Sequence, residues 1–278
     1  MEKLLKWSIQ ASSQDNAAGE LAAPDPQLIK QLFGGPDEAT LMKEAVQVAI
    51  NPEADEEARE TALDNLEMMV ESLDNANNLE NLGLWEPLID LVSDSETSTN
   101  VRTMACWVIG TAVQNNEKAQ TDFASKENSV SCLLDIARGG SRQGDLCTKS
   151  LYALSSCLSH CQLAYDKFLE KDGWAVVDQI IASHQEPRNR IKAASVVNSL
   201  LTLPHDQIFP KIGATKIVPS IVHLLGSDSG DAVEKSLRCL MQLKDAEYPF
   251  TSGELAEISD LRIRAVERGY IEPEEYNC

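Results

Sequence analysis

The sequence is poor in several things at once. Of its 278 residues only 5% are aromatic, against 43% hydrophobic overall, so its core must be built from aliphatic and alanine side chains. Lysine and arginine number 24 against 44 aspartates and glutamates, a formal net charge of −20. A surface for nucleic acid or an anionic membrane needs concentrated cations, so neither is the expected partner; a protein is. No run of about eighteen apolar residues, no signal peptide and no transit peptide is recognisable. The expectation is a cytoplasmic protein with no membrane-spanning helix.

Chemistry is scarce as well. The sequence has no phosphate-cradling glycine pattern, no histidine pair at metal-ligand spacing and no nucleophile elbow, and neither enzymatic activity nor a cofactor is expected. The nearest approach to a metal site is Cys157, His160 and Cys161. Positions 157 and 161 share a helix face, but they fall in an apolar stripe and lack a second pair of ligands, so packing is preferred to zinc. His184, His205 and His223 are isolated. Cys106, Cys132, Cys147, Cys157, Cys161, Cys239 and Cys278 fall mostly in helical runs, where a reduced thiol acts as a small apolar group. Disulfides are not expected in the cytoplasm.

What is present is a repeat. Apolar runs open at Trp85, Val130, Trp174 and Val218, at intervals of 45, 44 and 44 residues. Each is followed by a polar break and a second run with a small residue early in it: Ala105, Ser150, Ser195 and Ser236. Within the runs apolar residues recur at three and four, as in Val101, Ala105, Val108, Ile109 and Ala112, and no alternation of period two appears. Two helical runs per unit at this period are the mark of armadillo or HEAT units, which bury by stacking a face that none could bury alone. The predicted fold is all-α: a right-handed α-solenoid of armadillo-like repeats with helical N- and C-terminal caps.

Along the chain, residues 1–26 read as a flexible segment in which Leu4, Leu5, Trp7 and Ile9 lie close together, the alternative being a helix docked on the first repeat. Residues 27–81 read as an N-terminal helical cap, 82–243 as four repeats, and 244–278 as a C-terminal helical cap and tail. Within the first cap, helices are predicted from Pro26 to Phe33, stopped by Gly34-Gly35-Pro36, from Thr40 to Ile50, and again after Asn51-Pro52. Leu73-Asp74-Asn75-Ala76-Asn77-Asn78-Leu79 lies between helices, either as a helix terminus or as a polar contact loop. Thr251 and Glu254 form a candidate capping box for a helix ending at Gly269.

In a solenoid the longer helices lie side by side and build a concave face, the default binding site. After the opening apolar residue of the long helices the sequence places Arg102, Cys147 and Lys192, while Trp107, Tyr152 and Val197 share another register. Arg102 and Lys192, cations on an acidic chain, are candidates for meeting an acidic partner.

Several segments together resemble a known family: Met1-Glu2-Lys3-Leu4-Leu5-Lys6-Trp7-Ser8-Ile9, Leu32-Phe33-Gly34-Gly35, Leu73-Asp74-Asn75-Ala76-Asn77-Asn78, Leu84-Trp85-Glu86-Pro87-Leu88 and Ile109-Gly110-Thr111-Ala112-Val113-Gln114-Asn115-Asn116. They are similar to the cytosolic armadillo-type nucleotide exchange factors of the 70-kDa heat-shock chaperone, the HspBP/Fes family, and most to its fungal members. The likeness runs nearly the whole length and fades in the third and fourth units and at the C-terminus. It implies that the concave face grips lobe II of the chaperone's nucleotide-binding domain, so that ADP leaves, ATP binds and the client is released. It implies contacts at Asn75, Ala76, Asn77, Arg102, Gln114, Asn115 and Lys192, and a release segment, carried by Leu4, Leu5, Trp7 and Ile9, that competes with clients. A monomer is expected. The alternative is an armadillo-type peptide-binding adaptor like the importins and catenins. Trp107 and Tyr152 fit its aromatic array, but Thr111, Ser156 and Leu201 stand where it needs asparagine.

Overall fold

The structure, a computed structural model, describes residues 37–182 and 187–272. Leu4, Leu5, Trp7 and Ile9, the helix expected from Pro26 to Phe33, the Gly34-Gly35-Pro36 break, His184 and Cys278 lie outside the described residues. The chain divides after Leu41 into two units. Of the first, only residues 37–41, the opening of a helix, are described.

Among the described residues every regular element is helical. The order begins with α1 (Glu38–Ile50) and α2 (Glu56–Val70). Four triplets follow: α3 (Leu73–Asn81), α4 (Trp85–Ser93) and α5 (Thr99–Val113); α6 (Glu117–Ser125), α7 (Ser129–Gly139) and α8 (Asp145–Leu158); α9 (Gln162–Glu170), α10 (Gly173–Ala182) and α11 (Pro187–Leu200); α12 (His205–Gly213), α13 (Ile217–Leu225) and α14 (Gly230–Asp245). The last helix is α15 (Ser252–Glu267).

Each unit therefore holds three helices, where the apolar pattern predicts two. The extra one is short: α3, α6, α9 and α12 have nine residues each. They bury too few positions for a periodic stripe to stand out, only Asn75, Ala76 and Leu79 in α3 and Ala164, Tyr165 and Phe168 in α9. Local chemistry starts some of the helices. The Asn116 side chain accepts from the Ala119 amide at the head of α6, and Asp55 and Ser98 do the same for α2 and α5. The Thr251–Glu254 capping box is present at α15, and Gly269 beyond its end has φ +70, the left-handed conformation that glycine adopts without strain.

The long helices α2, α5, α8, α11 and α14 pack side by side in that order, and α4, α7, α10 and α13 form a parallel row. A repeated hydrogen bond holds long helix to second helix. Arg59 Nε donates to Ala49 O at 2.7 Å, Arg102 Nε to Val92 O at 2.9 Å and Arg190 Nε to Ile181 O at 2.9 Å. In the unit between, the Cys147 thiol points at Ala137 O, 3.9 Å away. These donors close the C-terminal end of a helix, where carbonyls lack intrahelical partners.

This clamp sets the register and corrects two expectations. The equivalent of Arg102 in the third unit is Arg190, so Lys192 does not share its position. The small residue at the tight approach is Ala193, fully buried, where the sequence pattern pointed to Ser195, which is half-buried. The small positions are then Ala62, Ala105, Ser150, Ala193 and Ser236, all buried, and the register reaches back into α2. Val197, grouped above with Trp107 and Tyr152, and Leu201, grouped with Thr111 and Ser156, are buried as well.

Candidate functional site

The long helices expose one row of side chains that the clamp register puts in equivalent positions: Met104 on α5, Lys149 on α8, Lys192 on α11 and Lys235 on α14. Adjacent packed helices lie roughly 8–10 Å apart, so the three lysines step from helix to helix along this face at about that pitch. Three residues further along each helix the row reads Trp107, Tyr152, Ser195 and Arg238.

The two rows touch. Lys149 Nζ lies 3.4 Å from the centre of the Trp107 ring and 5.8 Å from that of Tyr152, and Lys192 Nζ lies 5.6 Å from the Tyr152 ring. Aromatic faces attract cations, so the rings keep the lysines over the face. Burial pulls the Lys149 ammonium below the usual lysine range; Glu67 and Asp145 oppose this, and Lys192 adds to it. Gly110 makes the arrangement possible. A Cβ there would lie 2.5 Å from Tyr152 Cε1 and 3.2 Å from Ala153 Cα, so only glycine admits the Tyr152 ring. The Tyr152 hydroxyl donates to Gln114 Oε1 at 3.2 Å, and Thr111 Oγ1 donates to Glu67 Oε1 at 2.7 Å. The face turns acidic on α2, with Glu60 and Asp64, and Glu71 just past its end.

The residues singled out by sequence separate into three groups. Gln114 and Lys192 come together around Tyr152, and exposed Asn115 follows with φ +53, a conformation asparagine tolerates. Arg102 is half-buried and its Nε–H is committed to Val92, a fold-holding role. The Asn-rich segment is not a loop. It is helix α3, in which Ala76 is 2% exposed and sits in the core, and Asn75 is buried with Nδ2 donating to Met69 O at 3.0 Å. In this structure the Ala76 methyl group therefore has a packing role. Asn77 is half-buried, with its Oδ1 buried and lacking a hydrogen bond.

Lys149, Lys235 and Gly110 were missed as site residues. Lys149, Lys192 and Lys235 recur at intervals of 43 residues, a signal hidden while Lys192 was aligned with Arg102.

Nothing in the described residues gathers metal ligands: no three of His, Cys, Asp and Glu form a group that could hold an ion. Cys157 is fully buried and its thiol donates to Leu154 O, while His160 is exposed. Burial pushes the Cys132 and Cys239 thiols up to about 12 and Cys147 to about 11, the wrong direction for reactive cysteines. No single helix among the described residues is long and apolar enough to cross a membrane.

Comparison with known proteins gives concordant matches. The family model "Nucleotide exchange factor Fes1" matches residues 1–79, and the "SIL1/FES1/HPBP1 C-terminal domain" matches residues 75–208. The Hsp70 nucleotide exchange factor FES1 of Scheffersomyces stipitis is 41% identical over 93% of this chain and 91% of its own length. That of Saccharomyces cerevisiae is 35% identical over 94% and 92%. Among solved structures, a designed armadillo repeat protein in complex with the peptide (KR)4 superposes with a TM-score of 0.64 over 84% of this chain and 93% of its own, at 16% identity. The armadillo-repeats-only protein of Plasmodium falciparum does so with 0.57 over 80% and 99%, at 11% identity. These two show the armadillo fold alone.

Proposed function

Because this chain belongs to the Fes1 family of Hsp70 nucleotide exchange factors, we propose that it binds the nucleotide-binding domain of a cytosolic Hsp70 through the face of its long helices and speeds ADP release. The observation that carries this reading is 41% identity over 93% of the chain to a factor of that name. The face adds a physical reason. On a protein of net charge −20, Lys149, Lys192 and Lys235 form a line of cations, two of them held beside aromatic rings. That line suits a carboxylate-bearing surface, for which we propose lobe II of the chaperone's nucleotide-binding domain. Trp107, Tyr152 and Gln114 supply the neighbouring contact area, with Asn115 and Asn77 at its margin.

A factor speeds exchange only if it binds the open, nucleotide-poor domain more tightly than the closed one. By linkage, nucleotide weakens the factor's hold by the same ratio, so ATP both refills the site and dissociates the complex. No bond is made or broken by the factor. The segment with Leu4, Leu5, Trp7 and Ile9 is proposed to compete with clients for the chaperone's substrate site.

The test is release of a fluorescent ADP analogue from Hsp70, chased with ATP. Ala76→Arg would force a guanidinium into the core and confound loss of binding with loss of fold, so the face is tested with the half-buried Lys149 and Lys192. Wild-type protein is expected to accelerate release at least tenfold. The Lys149→Glu/Lys192→Glu double variant, still helical by circular dichroism, should lose most of that acceleration. No acceleration by folded wild-type protein would sink the exchange-factor reading. Full acceleration by the double variant would move the docking face elsewhere.

A further inference from the structure

At the C-terminal end of the stack the structure leaves a seat open. In α5 the positions Cys106, Ile109 and Val113 are wholly buried, and Gly110 among them faces Tyr152 and Ala153 of the next long helix. Of the equivalent positions on α14, Leu237 and Leu240 are buried, Met241 is half-buried and Lys244 is exposed. Beyond them α15 packs against α13, continuing the row of second helices, and among the described residues no further long helix lies alongside α14.

A groove of about 210 Å³ results, lined by Leu240, Met241 and Lys244 of α14 and by Leu255, Ile258 and Arg262 of α15. Both helices present their lining residues at the three-, four- and seven-residue spacing of one helical face. Its volume falls below the roughly 300–1,000 Å³ of small-molecule sites. Leu255 is 47% exposed while Leu240 is buried, so the groove is open at its rim, along Leu255 and Met241.

Charge says what kind of helix. Where Val70, Val113, Leu158 and Leu201 stand buried in the earlier units, α14 carries the exposed Lys244. Neither Lys244 nor Arg262 pairs with a carboxylate among the described residues, although acids outnumber bases 44 to 24. An apolar helix like those of the stack would cover Lys244 and leave its charge unpaired, which is costly. A helix with carboxylates beside its apolar stripe would satisfy both cations.

We propose that this groove docks an acidic amphipathic α-helix of a partner protein, seated where the next long helix of the stack would lie. The site is separate from the lysine line and does not depend on the exchange-factor reading.

The test uses the full chain and a fluorescein-labelled designed peptide of about sixteen residues, with leucines on one stripe and glutamates flanking it, read by fluorescence anisotropy. A counterpart with lysines in place of the glutamates is the control. The acidic peptide should bind with a Kd of tens of micromolar or tighter, and the basic one at least tenfold more weakly. Leu255→Glu and Lys244→Glu, both at exposed positions, should each weaken the acidic peptide about tenfold, while Lys235→Glu on the other face leaves it unchanged. Equal binding of the two peptides, no saturable binding, or indifference to Lys244→Glu would overturn the proposal. So would a dimer seen by sedimentation that Leu255→Glu dissociates, because a second copy would then be the occupant. Tighter peptide binding on deleting residues 273–278 would likewise assign the groove to the chain's own tail.

Discussion

Gly110 shows how much of the candidate face hangs on one missing methyl group. The Tyr152 ring lies where a Cβ would be, and Ala153 Cα is close behind it, so α8 cannot simply retreat. Gly110→Ala should cost about 1–3 kcal/mol, the usual range for overpacking a filled interior, partly offset by the better helix propensity of alanine. It should also displace Tyr152, breaking its hydrogen bond to Gln114 and releasing Lys192 from the ring. Thermal unfolding is expected to move down by several degrees, and ADP release per folded molecule to slow as well. A fall in melting temperature with no change in exchange would show that Tyr152 is not part of the docking face. Arg102 is the opposite case: its charge drew attention as a contact, but its Nε–H closes the end of α4.

Between elements, the most connected ion pair joins one unit to the next. Lys126, in the turn between α6 and α7, reaches Glu80 in α3 and Glu86 in α4, each at 2.9 Å. Hydrogen bonding to Lys126 pulls the Glu86 carboxyl below its ordinary value, and bonds to Glu80 and Glu86 push Lys126 above its own. The lowered Glu86 stabilises the fold above the carboxylate's ordinary pKa of 4.5, and this is lost as pH falls through its lower folded-state value. The raised Lys126 stabilises below the ordinary 10.5, and this is lost as pH rises through its higher folded-state value. Glu86 is exposed and Lys126 half-buried, so solvent screens the bridge in part and it is worth about 1 kcal/mol. Lys126→Met should lower the melting temperature by a few degrees at pH 7 and low salt. The gap to wild type should close near pH 3 and in about 0.5 M salt; a gap constant with pH would mean that packing of the lysine stem, and not its charge, holds the units together.

At the scale of the molecule, each layer of the second unit leans mainly on its neighbours, so stability should vary along the stack. α8 buries residues along its whole length, from Leu146 and Cys147 to Cys157 and Leu158. α15 buries only Ala265. Amide hydrogen exchange is expected to be slowest in α5 and α8 and fastest in α15, which opens without unfolding the rest. Equal protection throughout would contradict a layered stack and point to one cooperative unit. Occupation of the groove beside α15 would protect that helix selectively, which gives the docking proposal a second readout.

The amino-acid sequence by itself determined the helical class, a repeat near 44 residues, the capping box at Thr251 and Glu254, and the family. These depend on local spacing and residue type, which survive without knowing what packs where. The line of Lys149, Lys192 and Lys235 was also written there, but reading it required a register that Ser195 and Ala193, two small residues on one helix, left ambiguous. Only packing resolves such a choice, because a shift of two residues turns a helix by more than half a revolution. Tertiary structure alone decided that Asn75 and Ala76 lie inside a helix, that Gly110 is vacant for Tyr152, and that Leu255 faces an open groove. Periodicity tells which side of a helix is apolar. Which neighbour covers that side, or whether any does, is settled only when the helices are placed together.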